Sequence, residues 1–335
     1  MIIINDLHLG AVRSAGTTPA TADALRRYAL DCFENMLNQT DEHLVIQGDL
    51  YDTYSVPMSD LLRSYHTLEA WLAKGHKLTL IPGNHDLSKD TSKLGSFQFL
   101  AGLLEGHPQV QYIQGAGWVE DNVYAISHVT NQDEMDMLLE RVPECKYLLL
   151  HTNYNNFHTQ GSDHSLNVSE QQARDSKAGT LVFAHEHNHR IELQGKVFVL
   201  GNQFPSSVAD CLNPQDKYLH RLTSGGVERI RTWSRDGSYQ ELDWKNPEPS
   251  EAQFIRFTGT ATSEEAAAVV DTIARYRKTS PAFVASNAVK IGENSAMDEF
   301  TVTSLEQARS FDVMGALKKF LTDEEYTILE NLSNA

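Results

Sequence analysis

Residues 180–190 read TLVFAHEHNHR. An apolar run with the composition of a buried strand ends in three histidines, His185, His187 and His189, at every second position. Side chains two apart along an extended chain point the same way. Three imidazoles on one side of a strand end are a poor way to finish a hydrophobic core. They imply that something is held there, and that the run before them is a strand of an α/β sheet.

The pattern recurs upstream. MIII (1–4) is followed by NDLH, giving Asp6 and His8. HLVIQ (43–47) is followed by GDLYD, giving Asp49 and Asp52. LTLI (78–81) is followed by PGNHD, giving Asn84, His85 and Asp86, and KYLLL (146–150) is followed by His151. In sheets with parallel strands, ligands bind in the crevice beyond the carboxyl ends of the strands. Five strands thus deliver carboxylate, carboxamide and imidazole to one edge, with no thiolate. That donor set suits Mn²⁺, Fe²⁺ or Zn²⁺ in a catalytic site better than a closed structural zinc site. Taken singly, each motif has a plainer reading: Asp-x-His as a turn or surface pair, Gly-Asp-x-x-Asp as a capped turn, Gly-Asn-His-Asp as a loop using positive φ, His151 as a hydrogen-bonded core histidine. Their common order, each after a strand, favours the shared site.

Between the apolar runs lie helical patterns, at Thr21 to Asn38 and Ser59 to Ala73, so the alternation indicates an α/β domain with sheet at its centre. After about residue 195 the pattern changes. Val197 to Leu200 reads as a strand, Lys217 to Thr223 and Val227 to Trp233 flank a Gly225-Gly226 hairpin signal, and Asp236-Gly237 is a second turn. NPEPS (246–250) reads as a linker. Beyond it Gln253 to Thr258, Ser263 to Arg277 and Ala282 to Val289 read as strand, helix and strand of a small α/β module. Ser304 to Phe320 and a helix opened by a capping box at Thr322 form a helical tail. The expected division is 1–245, 246–295 and 296–335. The apolar side chains of the tail either pack on the small module or dock on a partner.

The chain has 335 residues, 41% hydrophobic and 22% charged, the composition of an ordinary globular protein. No apolar run approaches a membrane span, and MIIINDLHLG has neither a basic leader nor a small-residue cleavage site, so no signal peptide and no membrane association are expected. Three cysteines without paired spacing fit a reducing cytoplasm and exclude a cysteine-based zinc site. A net charge of −17 means that any nucleic-acid contact is a local patch or runs through metals. Arg221, Arg229 and Arg231 in the hairpin, and Arg275, Arg277 and Lys278 at the end of the module's helix, are the local clusters that could track a DNA backbone. A solvated hairpin face and a favourable basic helix C-terminus explain them equally well. There is no Gly-x-x-x-x-Gly-Lys-Ser/Thr, so any ATP chemistry comes from a partner.

The ordered motifs over residues 6–187 resemble the calcineurin-like metallophosphoesterase superfamily, and the resemblance implies a metallophosphoesterase β-sandwich flanked by helices. DLHLG, GDLYD followed by Pro57, and IPGNHD narrow the likeness to the nuclease subunit of SbcCD-type double-strand-break repair complexes, in the short version that large phages carry. Protein phosphatases of the superfamily have Arg and Glu where this chain has Thr53 and Asp86. Ala184 departs from the family pattern, which has Gly before the His-x-His.

By that resemblance one metal takes Asp6, His8, Asp49 and His187, and the other takes Asp49, Asn84, His151 and His185, with Asp49 bridging. The ions are expected to be Mn²⁺. Two divalent ions grip the phosphodiester oxygens, neutralise charge and activate the attacking water. His85 protonates the leaving oxygen, with Asp52 holding its other nitrogen. His189 is expected to be surplus, and Glu186 to point away from the metals. The resemblance further implies DNA as substrate, an SbcC-type coiled-coil ATPase as partner, a second copy of the chain as a candidate partner, and the cytoplasm of a bacterial or phage-infected cell. The competing readings are a stand-alone phosphodiesterase for cyclic or small nucleotides and a metal-free scaffold. No ligand position is missing, which counts against the scaffold.

Overall fold

The structure is a computed structural model and describes residues 1–11, 18–88, 90, 93–156, 166–212 and 214–292. The helical tail expected at 296–335 lies outside the described residues.

Two six-stranded sheets stack face to face. In the first the order is Gly226–Trp233, Lys217–Thr223, Ile2–Ile4, Leu44–Gln47, Leu78–Ile81, Val110–Tyr112. In the second it is Arg190–Glu192, Val197–Val199, Ala178–Ala184, Cys145–His151, Val123–Ile126, Ala116–Glu120. The motif-bearing strands are parallel within each sheet, with Ile2 opposite Leu44, Leu44 opposite Leu78, and Ala184 opposite His151. Their carboxyl ends therefore fall on a common edge.

The runs are continuously apolar because both faces are covered. Ile3, Val45 and Ile81 pack inward against Ala125, Tyr147, Leu149 and Val182 of the other sheet. Ile2, Ile4, Leu44, Ile46 and Leu80 pack outward on the helices Pro19–Asn38, Met58–Ala73 and Ser96–Leu104. On the far side Leu148, Leu150, Leu181 and Phe183 pack on Met135 and Ala173 of the helices Gln132–Glu140 and Glu170–Asp175. This is the helix-flanked β-sandwich. The first long helix starts two residues earlier than its periodicity suggests: Thr18 Oγ1 caps it by accepting from Thr21 N at 3.3 Å, and Pro19 occupies the first turn.

A third sheet of three parallel strands, Tyr239–Asp243, Phe254–Thr258 and Val284–Asn287, carries the helix Ala266–Thr279 on a core of Ile255, Phe257, Val269 and Ile273. Its first strand stands ahead of the 246–250 linker, which therefore connects two strands of this one small sheet. Leu25, Cys211, Trp233, Phe254 and Val284 form a shared apolar cluster that seats the module on the sandwich.

Candidate metal centre

The loops after the first two motif strands are zipped together through their backbones. Asp6 N donates to Gly48 O at 3.1 Å, His8 N to Asp49 O at 3.1 Å, Leu9 N to Leu50 O at 2.8 Å, and Asp52 N to Leu9 O at 3.0 Å. To turn their side chains into the crevice, Asp6, His8 and Asp49 adopt φ of 51°, 48° and 50°, and His185 adopts 85°. Left-handed backbone at a non-glycine residue costs about 1–3 kcal/mol, and it concentrates at functional sites. In Asp-x-His the two polar residues take left-handed φ and bring their donors to the crevice, while Leu7 between them is fully buried.

Three donor clusters result. Asp6, His8 and His187 form one; Asp49, His151 and His185 form another; His8, Asp49 and His85 link them, each set having its donor atoms within 4.8 Å. Asn84 Oδ1 sits between His151 Nε2 at 3.1 Å and His185 Nδ1 at 3.0 Å, which completes the second cluster. Asp6, His8 and His187 thus lie together, and Asp49, Asn84, His151 and His185 lie together. Asp49 joins the first set through His8.

The residues fit metal ions. Asp6 Oδ2 accepts from Asn5 Nδ2 at 2.6 Å and from His185 N at 2.9 Å, whereas Asp6 Oδ1 is buried and has no hydrogen-bond partner. A buried carboxylate oxygen without a partner is costly unless a cation faces it. His8 Nε2 and His187 Nε2 point at each other across 3.1 Å beside that oxygen. His151 Nδ1–H donates to Gln47 O at 3.0 Å, which fixes the ring and turns Nε2 into the site. Before a metal enters, Asp49 and His151 balance each other. Burial alone would raise Asp49, but His151 outweighs it and holds the carboxyl well below its usual range. Burial alone would lower His151, but Asp49 pushes it up to about 10.

Two glycines of the motifs are steric necessities. A Cβ on Gly48 would lie 2.0 Å from His151 Nδ1, and one on Gly83 would lie 2.2 Å from Asp49 Oδ1. Asp86 holds the same loops: its Oδ1 accepts from Tyr51 N at 3.0 Å and its Oδ2 from Gly83 N at 2.9 Å. Burial, with the Asp49 charge added, pushes its carboxyl up to about 7.

His85 lies at the exposed side of the cluster. Partial enclosure pulls its pKa down, but the Asp49 charge and a hydrogen bond to the backbone of Asp52 outweigh that and raise it. Here the sequence reading needs correction. His85 Nδ1–H donates to the backbone carbonyl of Asp52, at 2.6 Å, and not to its carboxylate. Asp52 Oδ1 lies 3.5 Å from His8 Nδ1 instead. The turn after Asp49 brings the Asp52 main chain, rather than its side chain, beneath the imidazole.

The histidines of the opening stretch separate. His185 and His187 enter the clusters. His189 Nδ1 bonds Val199 O at 2.8 Å, its ring is 5.6 Å from that of His220, and it belongs to none of the three clusters. Glu186 turns away to accept from Tyr154 N at 2.8 Å and to pair with Arg190 at 2.7 Å. Ala184 is a buried strand residue with ordinary φ; the left-handed turn falls on His185, so the methyl group has room.

Several groups around the site carry no sequence signal. Asn5 and Gln203 exchange two hydrogen bonds, 2.9 and 2.8 Å, behind Asp6. Gln47 Nε2 donates to Leu150 O and Val182 O, both at 2.9 Å, tying the two sheets beneath the site. Asp210, Asn202 and Lys217 surround His187. Lys217 is only 3% exposed, so it does not belong with the basic hairpin residues. Of those, Arg221 pairs with Glu42 at 2.6 Å, while Arg229 lies exposed over the Tyr218 ring at 4.8 Å and Arg231 lies exposed 3.5 Å from Asp216. On the module's helix Arg275 pairs with Asp271 at 3.1 Å, Arg277 Nε donates to Ala285 O at 3.0 Å, and Lys278 is exposed.

A family model described as calcineurin-like phosphoesterase matches residues 1–189. The chain belongs to the calcineurin-like phosphoesterase family. The matched span carries every donor of the three clusters, and membership implies metal-dependent hydrolysis of phosphoesters with two divalent ions. No curated protein matches this calcineurin-like phosphoesterase. Among solved structures it is similar to a phosphopantetheinyl hydrolase from Mycobacterium tuberculosis, with 12% identity over 68% of this chain and 94% of that one and a TM-score of 0.40. Among the described residues no helix is long and apolar enough to cross a membrane.

Proposed function

We propose that this calcineurin-like phosphoesterase is a metal-dependent DNA nuclease subunit of the SbcCD type, cutting phosphodiester bonds as exonuclease and endonuclease with two Mn²⁺ ions. The observation that carries it is the pair of donor clusters flanking Asp49, with His85 beside them and its Nδ1 already committed to the Asp52 carbonyl. When bound, the ions supply charge neutralisation and an activated water. The chain's own residues do the rest. Asp6, His8, Asp49 and His187 would hold one ion; Asp49, Asn84, His151 and His185 would hold the other. The Asp52 carbonyl orients His85, whose free Nε2 carries the proton delivered to the leaving oxygen. The narrowing to DNA is supported by DLHLG, by GDLYD with Pro57, by IPGNHD, and by the small module, which a small-molecule enzyme would not need.

The partners in this reading are DNA, an SbcC-type coiled-coil ATPase acting in DNA end processing, repair or recombination, and a second copy of the chain. Exposed Arg229, Arg231, Arg275 and Lys278 are the proposed backbone contacts. Met58, Leu62, Phe99 and Leu103 expose apolar surface on two neighbouring helices and support the self-association. The place of action is the cytoplasm of a bacterial or phage-infected cell. The test is incubation of the purified full chain with Mn²⁺ and linear single- and double-stranded DNA, beside bis-p-nitrophenyl phosphate and cyclic nucleotides. DNA cleavage that stops on chelation is expected. Rapid turnover of cyclic nucleotides with intact DNA would replace this reading with that of a stand-alone phosphodiesterase.

A further inference from the structure

His187 is the ligand whose second ring nitrogen meets a buried charge network. Asp210 Oδ2 lies 3.6 Å from His187 Nδ1, on the side of the ring opposite the Nε2 that faces His8. Asn202 Nδ2 lies 3.4 Å from the same nitrogen and donates to Asp210 Oδ2 at 3.3 Å. Asp210 is held in turn: its Oδ2 accepts from Ser206 N at 3.0 Å, Ser207 N at 3.1 Å and Ser207 Oγ at 2.9 Å, and its Oδ1 accepts from Lys217 Nζ at 2.8 Å. Lys217 spends its other donors on His187 O at 3.0 Å and Asn202 Oδ1 at 2.5 Å. Asp210 and Lys217 are each 3% exposed.

A buried carboxylate–ammonium pair is a poor stabilising device, because desolvation cancels most of its attraction. Here all three ammonium donors are used, and two of the acceptors belong to His187 and to the residue touching its ring. Metal-bound imidazoles characteristically give their other N–H to a carboxylate, which fixes the tautomer and strengthens the ligand. The helix Val208–Leu212 keeps Asp210 in place, since Cys211 on it packs into the cluster with Trp233, Phe254 and Val284.

We infer that Asp210, backed by Lys217, is a positioning residue for His187: it holds the ring with Nδ1–H toward the carboxylate and Nε2 toward the metal. The inference rests on the metal-centre reading. It makes one of the two ion sites, the one shared with Asp6 and His8, depend on a carboxylate that touches neither metal nor substrate.

The experiment is a Mn²⁺ titration of the metal-free full chain, with free Mn²⁺ counted by electron paramagnetic resonance. Wild type, Asp210→Asn and the double variant Asp210→Asn/Lys217→Met are compared, and a thermal unfolding scan of each metal-free form runs alongside. The double variant removes both buried charges at similar shape, so it folds even where the single variant leaves Lys217 unpaired and fails. The expected result is two ions on wild type and, in the folded variants, a loss of about 10–100-fold in affinity at one site, with the other within about threefold. Two sites of wild-type affinity in a folded variant overturn the inference. Equal weakening of both sites overturns it as well, because a general structural role would produce that. Wild type taking up no Mn²⁺ is a different failure, that of the metal-centre reading itself.

Discussion

At the scale of single residues, the site is built from positions that are poor choices for folding alone. Asp6, His8, Asp49 and His185 hold left-handed backbone, and Gly48 has no room for a methyl group against His151. Gly48→Ala should therefore displace the His151 ring and strip metal and activity together, as read by metal content after dialysis. Asp49→Ala should do the same. His85→Ala should abolish cleavage while both ions remain, because its Nδ1 serves the Asp52 carbonyl and its Nε2 is the proposed proton donor to the leaving oxygen. Loss of both ions from that variant would make His85 a ligand. His220 supplies a pH signature outside the site. It is buried between the sheets with neither ring nitrogen partnered, and burial pushes it down to about 3. Its folded pKa lies below the unfolded value of about 6.5. The stability it contributes is therefore present above pH ~6.5 and is lost as pH falls from there toward 3. Urea unfolding at pH 7 and pH 5 should show wild type losing about 2 kcal/mol more than His220→Leu. Equal losses would mean that His220 finds a partner for its charge.

At the scale of elements, the strands that deliver the ligands were legible, because each is a short apolar run ending in Asp, Asn or His. The long amphipathic helices, the hairpin and the small module's strand–helix–strand were legible too, whereas several short or edge elements were not, for physical reasons. Val110–Tyr112 is an edge strand with two of its three side chains exposed, and Trp118 on the other sheet's edge strand is 45% exposed, so neither shows a buried run. The helix Gln132–Glu140 fully buries only Met135, with Leu138 and Leu139 half-buried beside it, an apolar stripe of barely one turn that is too short to show a period. The donors themselves were readable. Their supports were not, since Asn5 meets Gln203 from 198 residues away and Gln47 reaches Leu150 from 103. The carboxylate of Asp52 went astray because a sequence motif cannot distinguish a side chain from the carbonyl of the same residue. Gln47 is where element packing and site meet. Gln47→Leu leaves the Leu150 and Val182 carbonyls without their tie, and should cost about 1–3 kcal/mol in urea unfolding. Metal sites that survive the substitution would show the strand ends to be held by the backbone ladder alone.

At the scale of the molecule, an acidic chain carries a site whose positive charge is supplied by its ions, with a small module seated beside the sandwich through Trp233, Phe254 and Val284. Because that cluster also contains Leu25 and Cys211 of the sandwich, module and sandwich should unfold in one transition, and Phe254→Ala should split or broaden it in calorimetry. The division of labour around Asp49 is what everything else depends on. Crystals of the full chain soaked in Mn²⁺ and measured at the manganese absorption edge test it directly. Two anomalous peaks roughly 3.5–4 Å apart are expected, both in contact with Asp49, one bounded by Asp6, His8 and His187 and the other by Asn84, His151 and His185. A single peak, or His85 Nε2 at bonding distance from either ion, would contradict it.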